Sequence, residues 1–205
     1  GKTNKKLLLF DQNFEIVFQN SVKFDETVDD DNYPCDDIYA IENWIKDEIK
    51  KIQKEGIYAI KAINFSTHGA TLVYLDKNGN RITPLYNYLK PLDHVDFNDF
   101  YNRFGGVAEF SRKTASPAYG MLNTGLQIYW LKNFKPDYWD KVDAILHYPQ
   151  YLSYLFSKKI RADFTSVGAH TATWDFDTMN HHKWLSEENI DLPKPTNGKE
   201  ATMAK

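Results

Sequence analysis

The sequence predicts an α/β domain, and three observations carry that expectation. Isoleucines recur at helical spacing from Ile38 to Ile52, a nearly continuous apolar run follows at Ile57 to Phe65, and helix and buried-strand patterns alternate again from residue 122 onward. Amphipathic helices alternating with strands that are apolar throughout are the mark of a sheet covered on both faces. The 205 residues match one domain or a large piece of a longer protein. Thirteen Phe, thirteen Tyr and five Trp, with a 42% hydrophobic fraction, are too many for a disordered chain.

The elements follow in order. Leu7 to Phe10 and Phe14 to Val22 are apolar runs separated by Asp11-Gln12-Asn13, with Phe14, Ile16 and Phe18 alternating, so they read as a hairpin. Residues 25 to 37 carry Asp25, Glu26, Asp29, Asp30, Asp31, Asp36 and Asp37 with no cation among them, which reads as a solvated acidic loop. A calcium loop would need glycine where Tyr33-Pro34 stands. Ile38, Ile41, Ile45, Ile49 and Ile52 lie on one helical face, with Asp36 or Asp37 as N-cap and Gly56 as C-cap. Ile57 to Phe65 then reads as a parallel strand buried on both faces. Residues 70–75 and 81–88 flank Asp76-Lys77-Asn78-Gly79-Asn80, and Asn-Gly is a hairpin signal.

Residues 92–121 lack a period and read as short helix plus irregular loop. Leu122, Leu126, Tyr129 and Trp130 share a helical face that Pro136 would terminate, Val142 to Tyr148 reads as a buried strand, and Pro149 opens a helix bearing Leu152, Leu155 and Phe156. Past Leu192 the apolar periodicity stops, so residues 193–205 read as a linker or edge. No internal repeat is visible.

Charge and cysteine content exclude several classes. Lys and Arg number 25 against 28 Asp and Glu, a net charge of −3 that offers no basic footprint for nucleic acid. No apolar run approaches the ~18 residues of a membrane helix, and Leu7 to Phe10 is shorter than a signal-peptide core, so a cytoplasmic location is the expectation. The single Cys35 rules out an internal disulfide and zinc patterns built on paired cysteines, and reads as a loop thiol in a reducing compartment. Asn64-Phe65-Ser66 is a formal glycosylation acceptor inside an apolar stretch and is read as chance.

Ser66-Thr67-His68-Gly69 falls at the carboxyl end of the strand expected over 57–65, where ligands of α/β sheets bind. Two hydroxyls, an imidazole and a glycine suit hydrogen bonding to a sugar or polyol. The alternative is a histidine satisfied by local backbone groups. His181 and His182 are adjacent and no His-Glu-x-x-His spacing occurs, so no protein-only metal site is assigned. Gly1-Lys2-Thr3-Asn4-Lys5-Lys6 is chemically a phosphate cradle, although it matches neither a Walker loop nor a dinucleotide fingerprint; the alternative is a basic terminus.

Together these segments resemble the amino-terminal half of the FGGY family of carbohydrate kinases. Gly1 to Lys6, an apolar strand, Asp11 and a hairpin are similar to the family's first phosphate loop, with Thr3 and Lys6 in the hydroxyl and basic positions. Phe65-Ser66-Thr67-His68-Gly69-Ala70-Thr71, then Leu75 to Gly79 and Pro84, resembles the xylulose-kinase-like Gly-Gln-Met-His-Gly-Ala-Thr segment and the hairpin and proline beyond it. Thr124 to Asn133, with Trp130-Leu131, resembles the first family signature. Residues 145–156, then 162–166 and 173–177, are similar to a Pro-x-Tyr-Leu helix followed by an acidic-Thr-Ser stretch and a Leu-Phe-Asp strand.

The resemblance implies a ribonuclease-H-like domain of the actin-like ATPase superfamily, a mixed sheet flanked by helices, over residues 1–192. It implies transfer of a phosphoryl group from ATP, with Mg²⁺, to a small-molecule sugar hydroxyl. Thr67, His68 and Gly69 would face the sugar, and Gly1, Thr3 and Lys6 the phosphates. Neither nucleic acid nor membrane is implied as a partner, and a homodimer is compatible with it.

Departures accompany the match. The family's first strand and its carboxylate would precede Gly1, and the catalytic base is expected beyond Lys205, so no catalytic residue is assigned. Lys2 replaces a small hydroxyl residue, Gln127 replaces the signature lysine, and Tyr88-Leu89-Lys90-Pro91 replaces a Trp/Tyr-x-Asp-x-Arg stretch that touches the sugar in relatives. Phe104-Gly105-Gly106 is a coincidence of letters, since the eponymous motif belongs to the other half of the family. A non-catalytic sugar-binding module and an actin- or chaperone-like nucleotide switch remain as alternatives.

Overall fold

A computed structural model describes residues 2–92 and 95–196. The expected first hairpin is present: β1 (Lys5–Phe10) pairs antiparallel with β2 (Ile16–Val22), with a register shift between Leu9 and Phe10. The acidic segment is not the solvated loop expected. It folds into β3 (Glu26–Val28) and β4 (Pro34–Asp36), an antiparallel pair whose turn is closed by Asp29 Oδ1 accepting from the Asp31 and Tyr33 amides at 2.9 Å. Cys35, expected in a loop, is only 1% exposed in β4.

α1 (Ile38–Glu55) begins where the Asp37 carboxylate accepts from the Ala40 amide at 3.0 Å. It ends at Gly56, whose φ of 69° is left-handed and whose N–H donates to the Gln53 carbonyl. Ile38, Ile41, Ile45 and Ile52 are buried on one face, as their spacing required.

Ile57 to Phe65 does not form the buried strand expected of it. Among the described residues this segment belongs to no strand, and Ile57 is 72% and Ile63 42% exposed. The strand buried on both faces is instead β5 (Leu72–Leu75), all four of whose residues are buried. Leu72 and Tyr74 point into one hydrophobic cluster and Val73 and Leu75 into another. An apolar run records a preference for burial, but burial also needs neighbouring strands, and those flank β5. On one side the return from the Asp76 turn lies against it, through a single bridge from Leu75 to Arg81 and an Ile82 amide donating to the Tyr74 carbonyl at 3.0 Å. The second hairpin is thus reduced to its turn and these contacts.

α2 (Asn98–Arg103) and α3 (Gly106–Thr114) occupy the stretch without a period. Gly105 and Gly106 make the sharp junction between them at φ 93° and 84°, which accounts structurally for the Phe-Gly-Gly letters. After a helical turn at Gly120–Leu122, α4 (Thr124–Phe134) buries Leu126 and Trp130, while Leu122 precedes the helix and is 37% exposed. Pro136 ends α4 and opens the short α5 (Pro136–Trp139). β6 (Ala144–His147) pairs with β5 antiparallel, Val73 opposite Leu146 and Tyr74 opposite Ile145, so the alternation of helix and strand does not make this pair parallel. α6 (Tyr148–Ser157) follows at Pro149.

The remainder is built of short pieces: β7 (Ala162–Asp163), α7 (Phe164–Val167), β8 (Trp174–Asp175), β9 (Asn180–His181), α8 (Lys183–Glu187) and β10 (Pro195–Thr196). β10 pairs in parallel with β7, so the expected linker carries a strand at its start; residues 197–205 of it lie outside the described residues. One core gathers Phe100, Phe104, Phe110, Trp130 and Trp184 beneath α2–α4, and the second packs the α1 isoleucines on Val73, Leu146, Tyr148 and Leu152. β5 and β6 are the wall between them.

Candidate functional site

His68 sits where the extended segment 57–68 leads into β5, between two aromatic walls. Its ring lies 5.3 Å from that of Tyr88 and 5.5 Å from that of Tyr148. Its Nε2 is 2.9 Å from the Thr71 hydroxyl, which is itself buried. The alternative of a histidine satisfied by backbone is therefore not what the fold builds, since its partner is a side chain. Burial pushes the His68 imidazole down to about 4, so it is neutral at pH 7, with one ring nitrogen a donor and the other an acceptor, and Nε2 is the one engaged by Thr71.

Thr67 donates its hydroxyl to the His68 carbonyl at 2.8 Å, which orients the peptide after it. Gly69 has no left-handed backbone, and a Cβ there would lie 3.8 Å from that of Ala169, an ordinary contact. The backbone there therefore does not demand glycine. The chain beyond it is held by Gln127, whose amide donates to the Ala70 carbonyl at 2.8 Å and also to that of Met121. A lysine would donate from a single ammonium at this place, whereas the amide fits between two carbonyls without burying charge.

The other expected site residues divide. Gly1 lies outside the described residues. Thr3 and Lys6 are exposed. Lys5 is spent on Asp36, at 2.7 Å, and Lys2 lies 5.5 Å from the centre of the Tyr88 ring and 3.5 Å from Glu26. The turn and the His68 loop therefore meet at Tyr88, which both approach. Tyr88 and Tyr148 were not nominated from sequence; the signal for Tyr88 was its place in the stretch aligned with a sugar-contacting motif, and for Tyr148 there was none.

Lys90 does not approach His68. Its ammonium lies 2.6 Å from Asp29 and 2.5 Å from Asp31, over the rings of Tyr86 and Trp130. Lys135 pairs with Asp30 at 2.7 Å and also with Asp31. The Lys135 and Lys90 ammonium groups hold the Asp31 carboxyl below the usual range. Among the described residues, Asp29, Asp30 and Asp31 are the cluster whose ligand atoms come within 4.8 Å of one another, but each of the three already pairs with one or both of these lysines, so the cluster is not left open for a magnesium ion. Pro91 lines a small cavity of about 380 Å³ with Trp130 and Lys135.

The Ala162 to Ser166 stretch is a local cap: Asp163 accepts from the Ser166 amide at 2.8 Å and from the Thr165 hydroxyl at 2.6 Å. His147 is buried 3.3 Å from the Thr124 hydroxyl, and burial pushes it down to about 4 as well. A histidine that is neutral in the fold and titrates near 6.5 when unfolded stabilises fully above that pH. The contribution is lost as pH falls from about 6.5 toward 4, where the unfolded chain takes up the proton first. The chain is expected to lose stability on the order of 1 to 3 kcal/mol per buried histidine over that window. Urea midpoints at pH 7 and 4.5 measure it, and His147→Gln should flatten the dependence; an unchanged pH slope in that variant removes His147 as a source.

The chain matches the FGGY family of carbohydrate kinases, N-terminal domain, over residues 1–193. It is 27% identical to a rhamnulokinase of Oceanobacillus iheyensis over 191 residues, covering 90% of this chain and 40% of that one. It is 28% identical to a rhamnulokinase of Pectobacterium atrosepticum, covering 83% of this chain and 35% of that one. The chain thus spans less than half the length of these relatives. A xylulose kinase from Lactobacillus acidophilus superposes with a TM-score of 0.84 at 19% identity, over 100% of this chain and 42% of that one. A glycerol kinase from Plasmodium falciparum, solved with ADP, gives 0.74 at 18%, over 94% of this chain and 40% of that one. Such likenesses show a fold shared with these sugar kinases. With a match that runs nearly from end to end, the chain belongs to the FGGY family of carbohydrate kinases, as its N-terminal domain.

Proposed function

We propose that this domain supplies the sugar-side wall of an ATP-dependent kinase that phosphorylates a hydroxyl of a ketose or polyol. The observation that carries the reading is the neutral His68, walled by Tyr88 and Tyr148 and tied to Thr71. A half-buried neutral imidazole with aromatic flanks suits a polyhydroxylated, uncharged ligand: the ring donates or accepts to hydroxyls, and the tyrosines cover the C–H faces of the sugar. The turn at Thr3 and Lys6 would meet the phosphates of ATP. Both side chains are exposed, and none of the described carboxylates pairs with Lys6. ATP supplies the transferable phosphoryl group; this chain's part is to hold the sugar, exclude water from its His68 side and offer cations to the phosphates.

The Asp29–Asp31 cluster is paired with Lys90 and Lys135, and no residue of this chain is assigned as a Mg²⁺ ligand or as the general base. The finer fold, a ribonuclease-H-like mixed sheet, is part of the same proposal. The names of the relatives make rhamnulose the first sugar to try, ahead of xylulose and glycerol.

In the full-length kinase, His68→Ala is expected to lower kcat/KM for the sugar at least tenfold, about 1.4 kcal/mol, and leave the KM for ATP nearly unchanged. Lys6→Ala should do the reverse, weakening ATP use more than sugar binding. A panel of ketoses and polyols with Mg-ATP reads both. Unchanged sugar kinetics in His68→Ala would remove the histidine from the site.

A further inference from the structure

The segment 168–173 lies against the His68 loop. A Cβ on Gly69 would meet that of Ala169 at 3.8 Å, so the two loops touch one residue beyond His68. Three successive carbonyls of the segment accept from three different places. That of His170 accepts from the Asn123 side-chain amide, that of Thr171 from the Gly125 backbone amide and that of Ala172 from the Trp184 indole, each at 2.7 Å. The Ala172 amide in turn donates to the Ser116 hydroxyl at 2.9 Å. A Cβ at Gly125 would lie 2.7 Å from the Thr171 carbonyl oxygen, so α4 meets the segment at a distance that only glycine permits.

These anchors hold a strained backbone. His170 and Ala172 have left-handed φ values of 57° and 60°, a conformation that a Cβ disfavours. A chain that needed only to turn here would be relieved by glycine at either position. Asn123, Ser116, Thr171, Ala172 and Trp184 are buried, whereas His170 is exposed. Strain that buried partners maintain around one exposed polar side chain points to a ligand contact. We propose that His170 is a specificity residue of the sugar site, its imidazole hydrogen-bonding the part of the ligand that extends past Gly69, away from the Tyr88 and Tyr148 walls. The inference rests on the sugar-kinase reading and adds to it a contact that senses ligand length. His68 meets the portion of the sugar held between the two tyrosines. A hydroxyl farther along the carbon chain lies toward Ala169, which carries His170 next to it, so a longer ketose gains a contact that a shorter one misses.

The test measures binding of rhamnulose and xylulose, six-carbon and five-carbon ketoses, to the full-length protein by calorimetry without nucleotide, and turnover of each with Mg-ATP. His170→Gly and His170→Asn both accept a left-handed backbone and so keep the loop. In each, the preference for the six-carbon over the five-carbon ketose is expected to fall about fivefold, the size of one lost hydrogen bond, with the KM for ATP unchanged. His68→Ala is expected to weaken both sugars together and leave their ratio alone. An unchanged ratio in the His170 variants, beside a His68→Ala that weakens both sugars, overturns the His170 contact and leaves the kinase reading standing. The ratio of dissociation constants decides the contact even where no form turns over, an outcome that would remove the kinase reading alone. Binding of neither sugar by the unmutated protein overturns both.

Discussion

Assayed by itself with Mg-ATP and a saturating ketose, the 205-residue chain is expected to turn over at less than about a thousandth of the rate of the full-length kinase. Phosphoryl transfer needs a base or an orienting group for the sugar hydroxyl, and loss of such a group alone costs roughly 10² to 10⁴ in rate. It also needs an enclosing second wall and a metal site. The carboxylate whose charge acts most on His68 is Asp36, and Lys5 holds it in an ion pair at 2.7 Å. The acids at 29–31 are likewise spent on Lys90 and Lys135. ADP release by the purified chain beside the full-length enzyme decides the matter. Turnover within tenfold of the full-length rate would place the catalytic carboxylate among these residues and overturn the assignment of roles.

Lys90→Met is expected to destabilise the domain by about 3 to 5 kcal/mol, the range for breaking a buried ion pair by removing one partner. The side chains of Lys90 and Asp29 are 5% and 0% exposed, so the carboxylate left behind has no water to turn to. Lys135 remains, but it lies nearer the surface and pairs with Asp30 and Asp31. The Asp29→Asn, Lys90→Met double variant should recover much of the loss. The side-chain amide that replaces the carboxylate carries no charge, and its oxygen can still accept from the Asp31 and Tyr33 backbone amides. Urea unfolding followed by tryptophan fluorescence reads both, with Trp130 within 5.2 Å of the ammonium. A loss under about 1 kcal/mol for Lys90→Met would mean that the pair is solvated.

Local elements were legible because their determinants are local. The α1 isoleucines, the Asp37 cap and Gly56 lie within a single helix, and the first hairpin lies within twenty residues of chain. What escaped depends on distant partners. The acidic run looked solvated because its cations stand outside it, at 2, 5, 90 and 135. Ile57 to Phe65 looked like a buried strand because its composition is indifferent to which neighbours exist; β5, less than half as long, is buried because β6 and the 81–82 return flank it. His68 was legible as chemistry at the end of an apolar run. Its two tyrosine walls come from other elements, and only the fold brings them to it.

Cys35 gives the molecule a built-in clock. Its thiol lies inside β4, paired to β3, and burial with help from the Asp29 and Asp36 carboxylates pushes it up to about 11. At neutral pH it is neither ionised nor reachable, so an alkylating reagent can modify it only during the moments when the β3–β4 hairpin lifts away. As the single cysteine of the chain, it makes labelling unambiguous. The rate of alkylation under native conditions thus times the opening of the hairpin that Lys90 and Lys135 clamp, reporting on that clamp in the intact protein without denaturant.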